Sequence, residues 1–265
     1  MQFIKGSIAM LAVTSIFAAT SAQAGVLTNW YVDTDGAGGS AAKALVKDYL
    51  DLTGVSYVKN SFTSPSSFNF NEFGTFNILT ADGGAPIGTN FNPALTSTFS
   101  SSGVGTVGSP GGTLTFNTGV LNLFSGVNNI ATFTLTTGSA NLVANSVLPN
   151  GTVSIIFKAT SLASGYFFDS SLTDLSTLLS PTSPLVFGFA TTNVIALSGL
   201  IPSSLVTGYN NAFSPDTAGA AANGTTNLLL SNNGQYRVSV PEPGSLALLG
   251  IGILALGLSA RRKQA

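Results

Sequence analysis

Any catalytic chemistry in this chain must come from carboxylates, hydroxyls and lysines, because its 265 residues include neither histidine nor cysteine. That composition excludes Ser-His-Asp and Cys-His nucleophilic systems and the common zinc sites. A carboxylate-dependent glycosidase needs two positioned acids, and Glu72 with an aspartate is the pair that the sequence offers. Nothing in the spacing of the acids favours this pair over solvated surface residues, so we predict that the protein is not an enzyme.

The best candidate for a metal site is the run Asp33-Thr34-Asp35-Gly36. Alternating carboxylates ahead of a glycine turn open the calcium loops of EF-hand type. Here the third ligand and the closing glutamate are missing, and aspartate with glycine also forms ordinary turns. We keep Asp33 and Asp35 as the metal candidate, behind the turn interpretation, and expect no cofactor.

A group of phenylalanines could bind carbohydrate by stacking on sugar rings. Its members are Phe62, Phe68, Phe70, Phe73 and Phe76. Spacing by two residues is also the pattern with which a β-strand buries one of its faces. The pattern therefore favours core side chains over a sugar-binding face.

The composition favours a packed, β-rich domain. Hydrophobic residues make up 44% of the chain and charged residues 7%, whereas disordered chains have low hydrophobicity and high charge. The polar residues are mainly Ser, Thr, Asn and Gly, which suit strands and turns better than exposed helices. There is no basic stripe of the kind that binds nucleic acid.

Alternating apolar and polar residues between turn-forming clusters predict an all-β, antiparallel, sandwich-like domain. The strand-like runs are residues 26–32, 67–71, 113–116, 132–136, 153–157, 166–168, 185–189 and 235–240. Asn-Gly pairs at residues 150–151 and 233–234 are typical of hairpin turns. Two stretches rich in small and polar residues, 96–112 and 212–227, are predicted as loops.

One short helix is predicted in this domain, from Ser40 to Gly54. Serine is typical of the N-cap position, and glycine is typical of the position that follows a helix. Apolar residues at positions 45, 46, 49 and 50 would share one face of that helix. We expect the helix to lie on the sheet.

The N-terminus has the three parts of a secretory signal peptide. Lys5 precedes an apolar run from Ile8 to Ala19, and Ala22 and Ala24 supply the small residues of a cleavage site before Gly25. We predict a signal helix over residues 1–24 and cleavage after Ala24. The alternative is an uncleaved membrane helix, but the run is shorter than the 17–25 residues that a span needs.

The pattern of the C-terminal 26 residues predicts a sorting segment followed by a membrane helix. Residues 245–260 carry no charge and would form a helix about 24 Å long, followed by Arg261, Arg262 and Lys263, which should stay cytoplasmic. The prolines of Pro241-Glu242-Pro243 hold an extended segment ahead of it, because proline cannot join a helix interior or a central strand. A cleaved sorting signal, a permanent anchor and a buried core helix are the three interpretations, in that order.

This end resembles the PEP-CTERM sorting signal of Gram-negative bacteria. The resemblance rests on Val240-Pro241-Glu242-Pro243, the apolar stretch and the closing basic residues, which occur in the family's order within about a tenth of the chain. It implies that an exosortase, a membrane protease, removes the helix and releases the protein to the cell surface or matrix. The family's association with exopolysaccharide, biofilm and flocs implies a structural or adhesive role there.

These observations divide the chain into a signal peptide (1–24), an exported β-rich domain (25–239) and the sorting signal (240–265). The predicted partners are the secretion machinery, an exosortase, the membrane during transit and exopolysaccharide. Two other functions stay open at this point. One is a carbohydrate-binding module of the extracellular matrix, and the other is an extracellular carboxylate-dependent hydrolase.

Overall fold

The computed structural model describes residues 25–38, 43–82, 91–179, 186–213, 215 and 221–240. The predicted signal helix, the predicted membrane helix and the sorting residues from Pro241 onward lie outside these ranges. Among the residues that are described, no helix is long and apolar enough to cross a membrane.

The described residues form fourteen strands, one α-helix and one 3-10 turn. The helix α1 is Ser203–Ala212 and the 3-10 turn is Leu175–Leu178. The strands are β1 (Gly25–Val26), β2 (Trp30–Asp33), β3 (Lys43–Val46), β4 (Leu50–Ser64), β5 (Ser67–Ala81), β6 (Leu95–Thr106), β7 (Thr113–Ser125), β8 (Asn128–Leu142), β9 (Pro149–Leu162), β10 (Phe167–Phe168), β11 (Val186–Leu197), β12 (Gly199–Leu200), β13 (Ala221–Ala222) and β14 (Asn227–Val240).

Eight of these strands form one sheet that closes on itself. Strands β4, β5, β6, β7, β8, β9, β11 and β14 are antiparallel neighbours in that order, and β14 also pairs with β4. Residues 229–236 of β14 are therefore paired on both edges. The all-β antiparallel prediction is confirmed, but the sandwich is wrong, because a single curled sheet encloses the core in place of two packed sheets.

Phenylalanines opposite glycines help to curve this sheet. Phe68 faces Gly105 and Phe70 faces Gly103 in the register of β5 with β6, and both rings are buried. A Cβ atom at either glycine would overlap the opposite ring. Glycine kinks covered by aromatic rings are an established way to bend a sheet. The curvature of the sheet therefore gives one physical reason for the abundance of both glycine and phenylalanine.

The predicted loop at residues 96–112 is wrong for most of its length, because β6 continues to Thr106. The inward positions of β6 include Ser97, Ser101 and Gly103, which are small because rings from neighbouring strands fill the interior. The small residues that suggested a loop are thus the ones that this strand needs. In the second predicted loop, 212–227, the described residues hold the end of α1, the short β13 and a turn at Asn223, which confirms that prediction in part.

The predicted helix from Ser40 to Gly54 is also wrong in its described part, which forms β3, a turn and the start of β4. The Asp82 carboxylate accepts hydrogen bonds from the backbone N–H groups of residues 47, 48 and 49, at 2.6, 2.7 and 3.1 Å. These bonds satisfy the backbone N–H groups of the turn, so no helix is needed to pair them. Leu50 and Leu52 then alternate inward as strand residues. The hydrogen bonds to Asp82, which is distant in the chain, outweigh the helical spacing of the local apolar residues.

Neither Asn-Gly pair forms a hairpin, although both lie in strands. Residues 150–151 fall at an irregularity of register in β9, where Gly151 has a φ of 77°. Residues 233–234 lie inside β14, between β4 and β11. A hairpin needs its flanking runs to pair with each other, whereas here they pair with other strands.

The other strand predictions agree well with the structure. The runs at 67–71, 113–116, 132–136, 153–157 and 235–240 lie within long strands, and 26–32 divides between β1 and β2. The runs at 166–168 and 185–189 correspond to β10 and the start of β11.

The closed sheet is covered at one end and on one side. A small sheet of β10, β2 and β3 packs over one end, and its Trp30 and Val32 join the same hydrophobic core as the sheet interior. Helix α1 packs outside, where Tyr209 meets Tyr57 with ring centres 4.9 Å apart. This is the one α-helix among the described residues. The run Leu228-Leu229-Leu230 was a sequence signal for it, because both faces of β14 are buried there and the outer face needs a covering element.

Candidate functional site

The two ends of the β-rich body lie together in the structure. Strand β1 pairs antiparallel with the end of β14, with Gly25 opposite Val240 and Val26 opposite Ser239. The backbone N–H of Leu27 donates to the Val238 carbonyl at 2.8 Å. Sequence reasoning placed one processing signal at each of these ends and did not foresee that they meet.

The other residues of those two signals lie outside the described chain. They are Ala22 and Ala24 of the signal cleavage site, Pro241, Glu242 and Pro243 of the sorting motif, and Arg261, Arg262 and Lys263. Their predicted roles stay predictions. What the structure places is Gly25 at one boundary and Val240 at the other.

The metal candidate is a braced turn at the end of β2. Asp33 is fully buried, and neither of its carboxylate oxygens accepts a hydrogen bond. Asp35 is exposed and accepts a hydrogen bond from the backbone N–H of Ala37 at 2.8 Å. Lys43 lies opposite Asp33 in the register, and its Nζ donates to the Gly38 carbonyl at 3.2 Å.

The two carboxyl groups have opposite electrostatic surroundings. Burial raises the pKa of Asp33, and the neighbouring Asp35 carboxyl adds to the rise, while the N–H dipoles of Asp35 and Gly36 oppose it. The Ala37 N–H lowers the pKa of Asp35, with help from Asp33. Because the two pKa shifts have opposite sign, Asp35 ionises at a lower pH than Asp33.

Within the described ranges, no group of three or more His, Cys, Asp or Glu residues could hold a metal ion. Asp33 and Asp35 therefore provide two carboxylates and no third. The metal assignment stays a prediction, and the turn accounts for the hydrogen bond that Asp35 makes.

Glu72 points into the closed sheet and lines a cavity of about 30 Å³ among phenylalanine rings. Burial raises its pKa to about 7, while a hydrogen bond from the Ser56 hydroxyl opposes the rise. Ser56 in turn accepts a hydrogen bond from Asn232 Nδ2 at 3.0 Å. Sequence reasoning missed both partners, although a glutamate in phase with Phe68 and Phe70 was a signal that it faces inward.

This cavity does not resemble a site for hydrolysis. Pockets for organic ligands are typically at least about 300 Å³ in volume, and this one is far smaller. Glu72 is the only carboxylate among its described lining residues. The hydrolase hypothesis, which needs a second acid near the first, gains no support from this arrangement.

The phenylalanine group belongs mostly to the core, as its spacing favoured. Phe68, Phe70 and Phe76 are each at most 3% exposed, and Phe73 packs against the cluster beneath α1. Phe62 is 45% exposed and contacts Phe68, with ring centres 5.6 Å apart. The hypothesis that this group forms a sugar-stacking platform is therefore wrong.

The outer side of four neighbouring strands carries hydroxyl groups in place of charges. We call this surface the hydroxyl face; it comprises the outward residues of β6, β7, β8 and β9. Its outward hydroxyl residues include Thr96, Thr98, Ser100, Ser102, Thr106, Thr113, Thr115, Thr118, Thr132, Thr134, Ser139, Thr152, Ser154 and Thr160. Lys158 is the one charged residue in these four strands.

Some of these hydroxyls bond to each other across the strands. Ser102 and Thr118 are 2.7 Å apart, and Thr106 and Thr113 are 3.1 Å apart. The remaining donors and acceptors can bond to water or to a polar, uncharged partner. Because sequence reasoning had assigned most of β6 to a loop, it did not foresee this continuous surface.

A proline-flanked glutamate, an apolar stretch and a basic cluster follow this closed β domain in the sequence. Residues 239–263 match the family model of the PEP-CTERM protein-sorting motif. The chain therefore carries a PEP-CTERM sorting motif, which implies export, sorting to the surface and processing by an exosortase. No curated protein and no solved structure matches the chain.

Proposed function

We propose that the body of this protein is a structural or adhesive component of the extracellular polysaccharide layer. In this proposal an exosortase removes the C-terminal helix, which anchors the protein in the membrane only during transit. The sorting motif at residues 239–263 supports the route. The single observation that supports the role is the hydroxyl face.

A surface of hydroxyls with one charge suits an uncharged, hydroxyl-rich polymer. Each hydrogen bond to such a partner contributes little, about 0.5–1.5 kcal/mol, because water competes for the same groups. Repeated contacts along a polysaccharide would add through multivalency. A carbohydrate-binding role therefore rests on this surface and no longer on aromatic stacking.

The route is tested by mass spectrometry of both ends of the surface-exposed protein, in cells with and without exosortase. We expect the mature form to begin at Gly25 and to lack the apolar segment when the exosortase is present. A mature surface form that still ends at Ala265 would show a permanent anchor and contradict the proposal.

The proposed binding to polysaccharide is tested by changing three residues of the hydroxyl face that lie opposite one another on adjacent strands. Thr115 pairs with Ser139, and Ser139 pairs with Ser154. Changing all three to alanine should weaken binding of the mature protein to the host's exopolysaccharide about tenfold, since several hydrogen bonds are lost.

The matched control changes exposed Ser61, Asn69 and Asn77 to alanine on the outer side of β4 and β5. This variant should bind like the unmodified protein. Equal binding by both triple variants, or no binding by the unmodified protein, would rule out the hydroxyl face as the polysaccharide surface.

A further inference from the structure

Asp33, at the end of β2, is a carboxylate that the fold buries without a hydrogen-bond partner. Its side chain is buried, and neither oxygen accepts a hydrogen bond. Buried carboxylates in proteins are normally hydrogen-bonded, paired with a positive side chain or bound to a metal ion. One of these conditions must hold for Asp33 whenever its carboxyl carries a charge.

A second carboxylate interacts with this one. Burial raises the pKa of Asp33 most, and the carboxyl of Asp35 adds to the rise, which shows that the two groups interact. Asp35 itself is exposed, so the pair reaches from the interior to solvent. Two carboxylates that share a site repel each other when both are charged. A cation bound by both of them removes that repulsion.

The positive side chain in register with Asp33 is held by other groups. Lys43 lies opposite Asp33 on β3. Its Nζ donates to the Gly38 carbonyl at 3.2 Å and lies 3.9 Å from the centre of the Phe168 ring. A carbonyl and an aromatic face both stabilise an ammonium group. The structure therefore leaves a small cation from solution as the partner of the two carboxylates.

The residue between the two acids is fixed to neighbouring parts of the chain. Thr34 Oγ1 donates to the Asn92 carbonyl at 2.8 Å, and the Thr34 carbonyl accepts a hydrogen bond from the Ser125 hydroxyl. These bonds hold the backbone that carries both carboxyl groups. A site that is held in place before its ligand arrives loses less conformational entropy on binding.

We propose that Asp33 and Asp35 bind a calcium ion at the end of β2. Calcium accepts carboxylate, backbone carbonyl and water oxygens in flexible geometry, so a third acidic side chain is not required. Magnesium fits less well, because it keeps several of its own waters and Asp33 is buried. With only two charged ligands, the dissociation constant should be that of the weak extracellular calcium modules, about 10⁻⁴–10⁻³ M.

Terbium luminescence tests this site in the full-length purified chain. Tb³⁺ replaces Ca²⁺ in oxygen sites and emits when an aromatic ring close to it is excited. Tyr166 is such a ring, because a Cβ atom added to Gly36 would lie 2.5 Å from it. We expect luminescence on excitation of tyrosine, and millimolar Ca²⁺ should displace the Tb³⁺ while equal Mg²⁺ should not.

Substitutions separate this site from general binding of cations to acidic surface. Asp33→Asn and Asp35→Asn should each weaken Tb³⁺ binding about tenfold or more, because affinity follows the number of charged ligands. The matched control is Asp48→Asn, which removes a half-exposed carboxylate paired with Arg237 and should bind Tb³⁺ like the unmodified chain. If Asp33→Asn fails to fold, the exposed Asp35→Asn decides the result.

A fourth variant and a stability measurement test what a purely structural turn would not produce. Lys43→Gln removes the positive charge opposite Asp33 and should tighten Tb³⁺ binding. Calcium should also move the urea midpoint of Trp30 fluorescence to higher urea, because an ion that binds only the folded state stabilises it. Trp30 is a suitable reporter since it lies on β2 with Asp33.

The outcomes decide the proposal without reference to polysaccharide binding. Absence of tyrosine-excited luminescence would overturn the calcium site, and so would luminescence that survives both aspartate changes or falls equally in Asp48→Asn. A urea midpoint that calcium leaves unchanged in the unmodified chain would also overturn it. Failure of the mature protein to bind exopolysaccharide would contradict the proposed function and leave this site unaffected.

Discussion

Glu72 places an ionisable carboxyl in an otherwise largely apolar interior. Its carboxyl lies among phenylalanine rings, with Ser56 and Asn232 as the polar network on its side of the cavity. Burial disfavours the charged form, which is why the pKa rises from 4.5 to about 7. A charge in this position lowers the stability of the fold whenever the carboxyl ionises.

The stability of the protein should therefore fall between pH 4.5 and pH 7. In that range the unfolded chain releases the Glu72 proton while the folded chain still holds it, and above pH 7 the loss is complete. The shift corresponds to about 3 kcal/mol. Glu72→Gln, which cannot ionise, should flatten the decline and exceed the unmodified protein in stability at pH 8.

Urea denaturation of both proteins from pH 4 to pH 9 measures this effect. The two proteins should have similar unfolding free energies at pH 4, where the carboxyl is protonated in both states. Parallel pH profiles for the two proteins would contradict the raised pKa of Glu72 and indicate that its carboxyl is solvated.

At the scale of elements, curvature depends on glycines that face aromatic rings. Gly103 lies on β6 opposite Phe70, and Thr115 of β7 is close on the other side. Neither neighbour leaves room for a side chain. Period-two patterning shows which strand face is buried, but it does not show how near the next strand comes.

Gly103→Ala should lower the free energy of unfolding by about 1–3 kcal/mol, because the new methyl group would overlap the Thr115 carbonyl and the Phe70 ring. Gly188→Ala on β11 is the matched control, since its Cβ would meet the Arg237 carbonyl at an ordinary 3.7 Å. The control should change stability by less than about 1 kcal/mol. Chemical denaturation compares them, and equal effects would contradict the close approach at Gly103.

At the scale of the whole molecule, the small end sheet and the closed sheet share one core. Trp30 of β2 is 0% exposed and packs 6.4 Å from Phe167 of β10, measured between ring centres. Both residues belong to the cluster that fills the closed sheet. Parts that bury a common core generally unfold together.

Trp30 is the only tryptophan in the chain, so its fluorescence reports on the end sheet alone. We expect its red shift to coincide, along a urea gradient, with the loss of β-sheet circular dichroism from the whole molecule. A fluorescence transition at lower urea would show that the end sheet unfolds first and would contradict a single cooperative unit. Trp30→Phe provides the fluorescence blank.

Local sequence patterns are enough to predict the antiparallel strands, the inward phenylalanines and the sorting motif. Each is a local pattern: alternation over a few residues, or three signals in order at one terminus. Such patterns depend on covalent spacing, which the chain carries without folding. They are also the parts of the prediction that the fold and the family match confirm.

Local patterns do not predict closure of the sheet, the Asp82-bound turn in place of the predicted helix, or the meeting of Gly25 with Val240. Each depends on partners far apart in the chain: Asp82 lies 35 residues from Lys47, and β1 pairs with the end of β14. Local spacing cannot specify which distant strand supplies a hydrogen bond or fills a gap.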